Sequence, residues 1–306
     1  MTQPWWTPRR RTYGWLLVQM AWCVGAFGFV YWFTVQTVTG RELADTALRG
    51  ATLTRSRAAA SVESTLDVVS VTALIAAVAT IAVVALIRMR RANGLAAIGL
   101  LIAANLSSRM LKAYVLPRRD LGLAEAAPAT LNSLPSGHTT AAFSIGVAAL
   151  FVVPAVLRPV TAAVGIAFSS AVAIATLSAG WHRVADTLAS FFLVTAWAAV
   201  AGVVMLRAEP DFTPRDWRAQ RPRRIGRWWA AAATGLTLVA AVLVAVLVAD
   251  PEVRESVLGP PAAFVAGALL VVGTAAAMTV VVLRAVSRVS DPGAGTGSSP
   301  RLLPSY

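Results

Sequence analysis

Residues 95–119 read LAAIGLLIAANLSSRMLKAYVLPRR. The run is apolar over about 95–113, close to the roughly 20 residues that an α-helix needs to cross a bilayer, and it ends in Lys112, Arg118 and Arg119. Lys112 is the only lysine in a chain whose lysines and arginines total 27. The chain's two histidines fall in two further short signatures, Pro135-Ser136-Gly137-His138 and His182-Arg183-Val184-Ala185-Asp186. Rare ionisable residues are thus concentrated where apolar runs end, a position that in a membrane protein points to function.

Seven more stretches share the apolar character of 95–113: about 14–36, 68–87, 139–157, 160–180, 187–206, 229–249 and 262–283. The 306 residues are 57% hydrophobic and 13% charged, against roughly a quarter charged in a soluble chain. The expected fold is therefore all-α, a polytopic membrane bundle of about eight spans. Arg9–Arg11 before the first stretch resemble the basic start of a signal peptide. That stretch is too long for one and lacks a small-residue cleavage site, so it reads as a retained helix. A net charge of +13 does not call for nucleic acid, because the arginines lie in short loops beside apolar spans. Cys23, the sole cysteine, excludes intrachain disulfides and cysteine-based metal sites. The bias to Ala, Val and Arg suggests a bacterial, GC-rich origin.

Arginine placement sets the expected orientation. With the N-terminus cytoplasmic, Arg9–Arg11, Arg88, Arg90, Arg91, Arg158, the run from Arg207 to Arg227, Arg284, Arg288 and Arg301 all fall inside. Both termini are then cytoplasmic, the protein sits in the plasma (inner) membrane, and all three signatures face outward. The expected organisation is a six-span core over 1–206, a basic cytoplasmic linker over 207–228, two additional transmembrane helices over 229–286 forming an appended hairpin, and a disordered tail over 287–306. The polar segment 40–66 is expected to hold an interfacial helix, because Leu43, Ala47, Leu48 and Ala51 recur at roughly helical spacing. Trp217, Trp228 and Trp229 suit a membrane-interface belt.

The three signatures together supply what metal-free phosphoester cleavage requires: donors for the phosphoryl oxygens, a nucleophile, and an acid for the leaving group. Lys112 and Arg119 can turn toward one anion, Arg119 with two parallel N–H bonds. Ser136 and Gly137 open a helix whose first N–H groups make an anion site, and His138 lies within reach to protonate a departing oxygen. His182 and Asp186, four residues apart, share one face if helical. The carboxylate then fixes the ring tautomer and leaves the other nitrogen free to attack. Singly, Lys112 reads as well as a snorkelling anchor, Pro-Ser-Gly as a plain turn, and His182–Asp186 as a helix-surface pair. Jointly, and on one side of the membrane, they read as a site.

These residues resemble the type 2 phosphatidic-acid phosphatase superfamily, membrane lipid phosphatases related to vanadium haloperoxidases. The family's motifs are Lys, six residues, Arg-Pro; then Pro-Ser-Gly-His; then Ser-Arg, five residues, His, three residues, Asp. The likeness covers about residues 95–206. It implies a six-helix lipid phosphatase core in which Lys112, Arg119, Ser136, Gly137 and His138 hold the phosphate. His138 is also the general acid, His182 the nucleophile and Asp186 its orienting carboxylate, with no metal or cofactor. Two departures stand out. Asp120 replaces the proline after Arg119, and Ala175 and Thr176 replace Ser-Arg. Thr176 offers the phosphate a neutral hydroxyl where the family has arginine, a loss worth on the order of 2–4 kcal/mol of transition-state stabilisation. Arg183, Arg118 and Arg109 are candidates to supply the charge instead.

The expected activity is hydrolysis of a lipid phosphomonoester or diphosphate through a phosphohistidine. Candidate substrates are a polyprenyl diphosphate, phosphatidic acid, phosphatidylglycerol phosphate or a polyprenyl sugar phosphate. The partners expected are that lipid and the bilayer, not nucleic acid. Two alternatives stay open: a lipid-phosphate-binding or transport protein weakened at Thr176, and a phosphotransferase to an acceptor other than water.

Overall fold

Hydrocarbon offers no partner to backbone N–H and C=O groups, so apolar stretches of this length fold as helices, which satisfy those groups internally. The computed structural model describes residues 6–51, 71–87, 91–123, 132–208 and 224–290, and those residues are helical throughout apart from short connections, without strand. In chain order they form α1 (Trp6–Gln36), α2 (38–51), α3 (Val71–Ile87), α4 (Arg91–Met110), α5 (Gly137–Val152), α6 (Arg158–Ser178), α7 (Val184–Ala208), α8 (Arg224–Ala249), the short α9 (Pro251–Glu255) and α10 (Gly259–Ser290). A π-helical turn, Leu111–Val115, prolongs α4. The sequence expectations for 52–66, 209–223 and 291–306 lie outside the described residues.

The polytopic helical bundle expected from the sequence is what the chain forms. Among the described residues, six helices are long and apolar enough to cross a membrane: Arg9–Gln36, Arg91–Val115, Arg158–Ser178, Val184–Ala208, Arg227–Ala249 and Gly259–Ser290. The other two expected spans correspond to α3 and α5, which are apolar but shorter. Helix α5 has 16 residues, about 24 Å at 1.5 Å each. It stops at Val152 rather than near 157, because Pro154 disfavours helical geometry before it and donates no N–H. At the other boundary, α10 continues to Ser290, past the 286 expected. Val286, Val289 and Ser290 are buried there, and the Arg288 guanidinium stacks over Trp15 at 3.8 Å. Likewise 224–228, expected in the linker, already belong to α8.

Helices α4, α5, α6 and α7 pack on one another, with Phe143 of α5 and Phe191 of α7 meeting edge-to-face at 4.9 Å in the core. Helix α1 lies along α7, and α3 along α4 and α5. The C-terminal hairpin joins this body through α10, which packs on α5, α6 and α7, while α8 packs chiefly on α10. Of the apolar window of each, 56% is buried in α10 and 17% in α8, so α10 is a core helix and α8 a peripheral one.

Side-chain contacts sort the helix ends. Arg9 of α1 donates to the Leu206 carbonyl near the end of α7. Asn93 at the start of α4 donates to the Phe151 carbonyl at the end of α5 and to Ser290 Oγ at the end of α10. One end of the bundle therefore collects Arg9, Arg91, Arg207 and Arg288. The opposite end holds Lys112, His138, His182, α2 and α9.

Candidate active site

The site begins where α6 stops. Gly180 adopts φ +76°, a left-handed conformation that costs a residue with a Cβ about 1–2 kcal/mol. Its N–H bonds the Leu177 carbonyl at 2.9 Å, and the Trp181 N–H bonds the Thr176 carbonyl at 3.0 Å. This pair of bonds is the Schellman cap of a helix C-terminus, and it delivers Trp181 and His182 into the turn before α7. His182 is thus not on a helix with Asp186, as its spacing suggests; Arg183 is the N-cap of α7 and Asp186 its third helical residue. The Asp186 side chain reaches back and accepts the Arg183 N–H at 2.9 Å, as the acidic member of a capping box does, with its charge at the positive end of the helix dipole.

That same oxygen, Asp186 Oδ2, lies 3.2 Å from His182 Nδ1 and 2.5 Å from Ser133 Oγ, which donates to it. Asp186 and His182 are both buried. With Nδ1–H directed at the carboxylate, His182 keeps its Nε2 lone pair for chemistry.

The second signature docks on this turn. Ser136 is the N-cap of α5, its Oγ accepting from the Thr139 N–H at 3.3 Å, and its own N–H bonds the Asp186 carbonyl at 3.0 Å. Ser190, one turn after Asp186, holds its hydroxyl 2.9 Å from both the Ser136 and the Asp186 carbonyls. The start of α5 is therefore fastened to the start of α7. His138 is brought against His182, ring centroids 6.4 Å apart at 66°, and against Trp181 at 5.7 Å. Lys112, on the π-helical turn after α4, lies close enough to interact electrostatically with both Asp186 and His138. The π turn shifts the helical phase at that lysine, as such bulges do at functional sites. Lys112, Ser136, Gly137, His138, His182 and Asp186 thus converge at one end of the bundle.

Residues 93–210 match the family model described as the PAP2 superfamily. That segment belongs to the PAP2 superfamily. No curated protein and no solved structure matches the chain.

The PAP2 segment runs from α4 to just beyond α7, so α1, α2, α3 and α8–α10 lie outside it. Three signature positions differ in placement from the converging six. Arg119 is exposed on the extended segment after Leu116, where its carbonyl accepts from Arg41. Thr176 is buried, and its hydroxyl donates back to the Ala173 carbonyl at 2.7 Å. Arg183 directs Nε and Nη2 at Asp45 Oδ1, 3.0 and 2.9 Å away. Ser133, Ser190, Asp45 and Arg41 were missed by sequence reasoning. Ser190 has a signal, four residues after Asp186 on the same helix face, and Ser133 stands three before Ser136. Asp45 interrupts the apolar positions of α2, an acid among Leu43, Ala44, Ala47 and Leu48, yet nothing local names its partner.

Proposed function

We propose that this protein is an integral-membrane lipid phosphatase that hydrolyses the phosphomonoester or diphosphate of a lipid by a metal-independent, two-step route. The observation that carries the reading is the pair of imidazoles 6.4 Å apart, one of them held by a buried carboxylate. Imidazoles this close can engage one tetrahedral phosphoryl group, one as nucleophile and the other as proton donor. In the first step His182 Nε2 attacks phosphorus, the P–O bond to the lipid breaks, and His138 gives its proton to the departing oxygen. In the second, His138 takes a proton from water, whose oxygen attacks the phosphohistidine and releases inorganic phosphate. Lys112 and the first N–H groups of α5 stabilise the charge on the phosphoryl oxygens. Asp186 stabilises the cationic ring of the intermediate.

The arginine-rich end of the bundle is the cytoplasmic one on the positive-inside rule, so the site faces the outer leaflet of the plasma membrane. Lipid phosphates presented there, whether polyprenyl diphosphate, polyprenyl sugar phosphate, phosphatidic acid or phosphatidylglycerol phosphate, are the substrate class. The buried Thr176 hydroxyl, bonded within its own helix, favours a second reading in which the cradle binds a lipid phosphate without turnover.

Purified protein in detergent micelles, assayed for phosphate release from phosphatidate and from farnesyl diphosphate, tests both readings. Release that falls at least about 10³-fold in His182→Ala, with an acid-labile labelled phosphoenzyme trapped from the wild type, is the expected result. Saturable binding of these lipids without release supports the second reading, and transfer of phosphate to another lipid or sugar identifies a phosphotransferase. Normal turnover in His182→Ala refutes the mechanism.

A further inference from the structure

Helix α2 lies outside the PAP2 segment, yet its side chains reach three elements at the site end. Arg41 bonds the Val35 carbonyl through Nε at 2.9 Å and the Arg119 carbonyl through Nη2. Glu42 pairs with Arg254 of α9 at 2.9 Å. Asp45 Oδ1 accepts two bonds from Arg183, Nε at 3.0 Å and Nη2 at 2.9 Å.

The third contact is the informative one. Asp45 is 5% exposed and Arg183 4%, and a buried ion pair is a poor device for stability alone, since apolar residues of similar volume serve as well or better. What this pair holds is Arg183, the residue that follows His182. Arg183 is the N-cap of α7, and its N–H is one of the donors that fix Asp186 Oδ2. A side chain anchored at its far end restricts the backbone it grows from. The backbone of Arg183 sets both its own N–H and the direction in which His182 leaves the turn.

We propose that Asp45 is a positioning residue for the nucleophile: by tethering Arg183 it fixes the N-cap of α7 and with it the His182–Asp186 bond. The guanidinium that the sequence offers as a phosphate contact is on this account a tether. The kinetic consequence rests on the hydrolytic reading above; the positional claim does not.

The chain's two histidines make the test direct. Protein labelled with ¹⁵N in its imidazoles gives two sets of ring resonances, assigned with His138→Gln. In the wild type the His182 Nδ1–H is expected far downfield and slow to exchange. Two variants remove the tether: Asp45→Asn, and the double variant Asp45→Leu with Arg183→Met, which leaves no charge buried without its partner. In both, the His182 Nδ1–H exchanges faster or vanishes and the His182 ring nitrogens shift toward a tautomeric mixture, while the His138 signals stay in place. With phosphatidate as substrate, kcat falls at least about tenfold and KM stays within about twofold, as expected when a reacting group is misplaced; Asp45→Glu recovers part of the loss. A double variant with wild-type helical circular dichroism and elution volume whose His182 resonances are unchanged overturns the proposal. If the wild type releases no phosphate from either lipid, the hydrolytic reading fails, and the resonance comparison still decides for or against the tether.

Discussion

His182 has a lone pair to offer because its other ring nitrogen is engaged. The acceptor, Asp186 Oδ2, is itself held by the Ser133 hydroxyl and the Arg183 N–H, and Asp186 is only 3% exposed. A buried carboxylate without such donors is costly, and bonds to an ionised acceptor are among the stronger kinds. The arrangement therefore keeps a negative charge beside the ring that, in the proposed mechanism, becomes cationic on phosphorylation. Asp186→Asn preserves the shape and removes the charge. The neutral amide oxygen that then meets the Ser133, Arg183 and Nδ1 donors is a weaker acceptor, so the tautomer with a free Nε2 lone pair is held less firmly. The expected outcome is a fall in kcat of roughly 10³–10⁴-fold, the scale seen for the orienting acid of other histidine dyads, with KM for phosphatidate within a few-fold. Steady-state phosphate release checks it; a raised KM with kcat intact would place Asp186 in binding instead.

At the scale of elements, His182, the proposed nucleophile, stands between a Schellman cap and a capping box, so its position depends on how the ends of α6 and α7 are held. Helix α10 supplies part of that support. A Cβ built on Gly267 would stand 2.4 Å from Val184 Cγ2, and Val184 is the first residue of α7. Val184 is β-branched and stiff at χ1, so it has little room to yield. Gly267→Val forces α10 and α7 apart at a cost of about 1–3 kcal/mol, and the displaced start of α7 takes Asp186 with it. Gly235 in α8 has nothing within 4 Å of such a Cβ. Thermal unfolding in detergent, paired with phosphate release, is expected to show lower stability and several-fold lower activity for Gly267→Val, and neither for Gly235→Val. Equal behaviour of the two would return α10 to the status of an appended helix.

Over the whole molecule, what could be read from the chain was whatever local spacing encodes. Apolar run length marked the helices, and residues a few positions apart marked the signatures, because periodicity and capping act over single turns. The spacing of His182 and Asp186 fits a helix face, but fits equally a residue just before an N-cap and the third residue of the helix that follows, so it gave the pair but not its geometry. Asp45 and Arg183 are 138 residues apart, and packing in three dimensions, not periodicity, joins them. One global feature was legible from the placement of arginines along the chain: the gathering of Arg9, Arg91, Arg207 and Arg288 at one end of the bundle. These arginines stand at one end and the site at the other, and the proposal that the site lies outside the cytosol rests on that and on the positive-inside rule. Cys23 is the sole cysteine and is buried, which makes Cys23→Ala a clean background for labelling. Val257, 92% exposed in the loop between α9 and α10, marks the site end, and the exposed Arg207 marks the other. Val257→Cys is expected to react with a membrane-impermeant maleimide in intact spheroplasts, and Arg207→Cys only after lysis. The reverse pattern would turn the site toward the cytosol, and lipids confined to the outer leaflet could then no longer be its substrates.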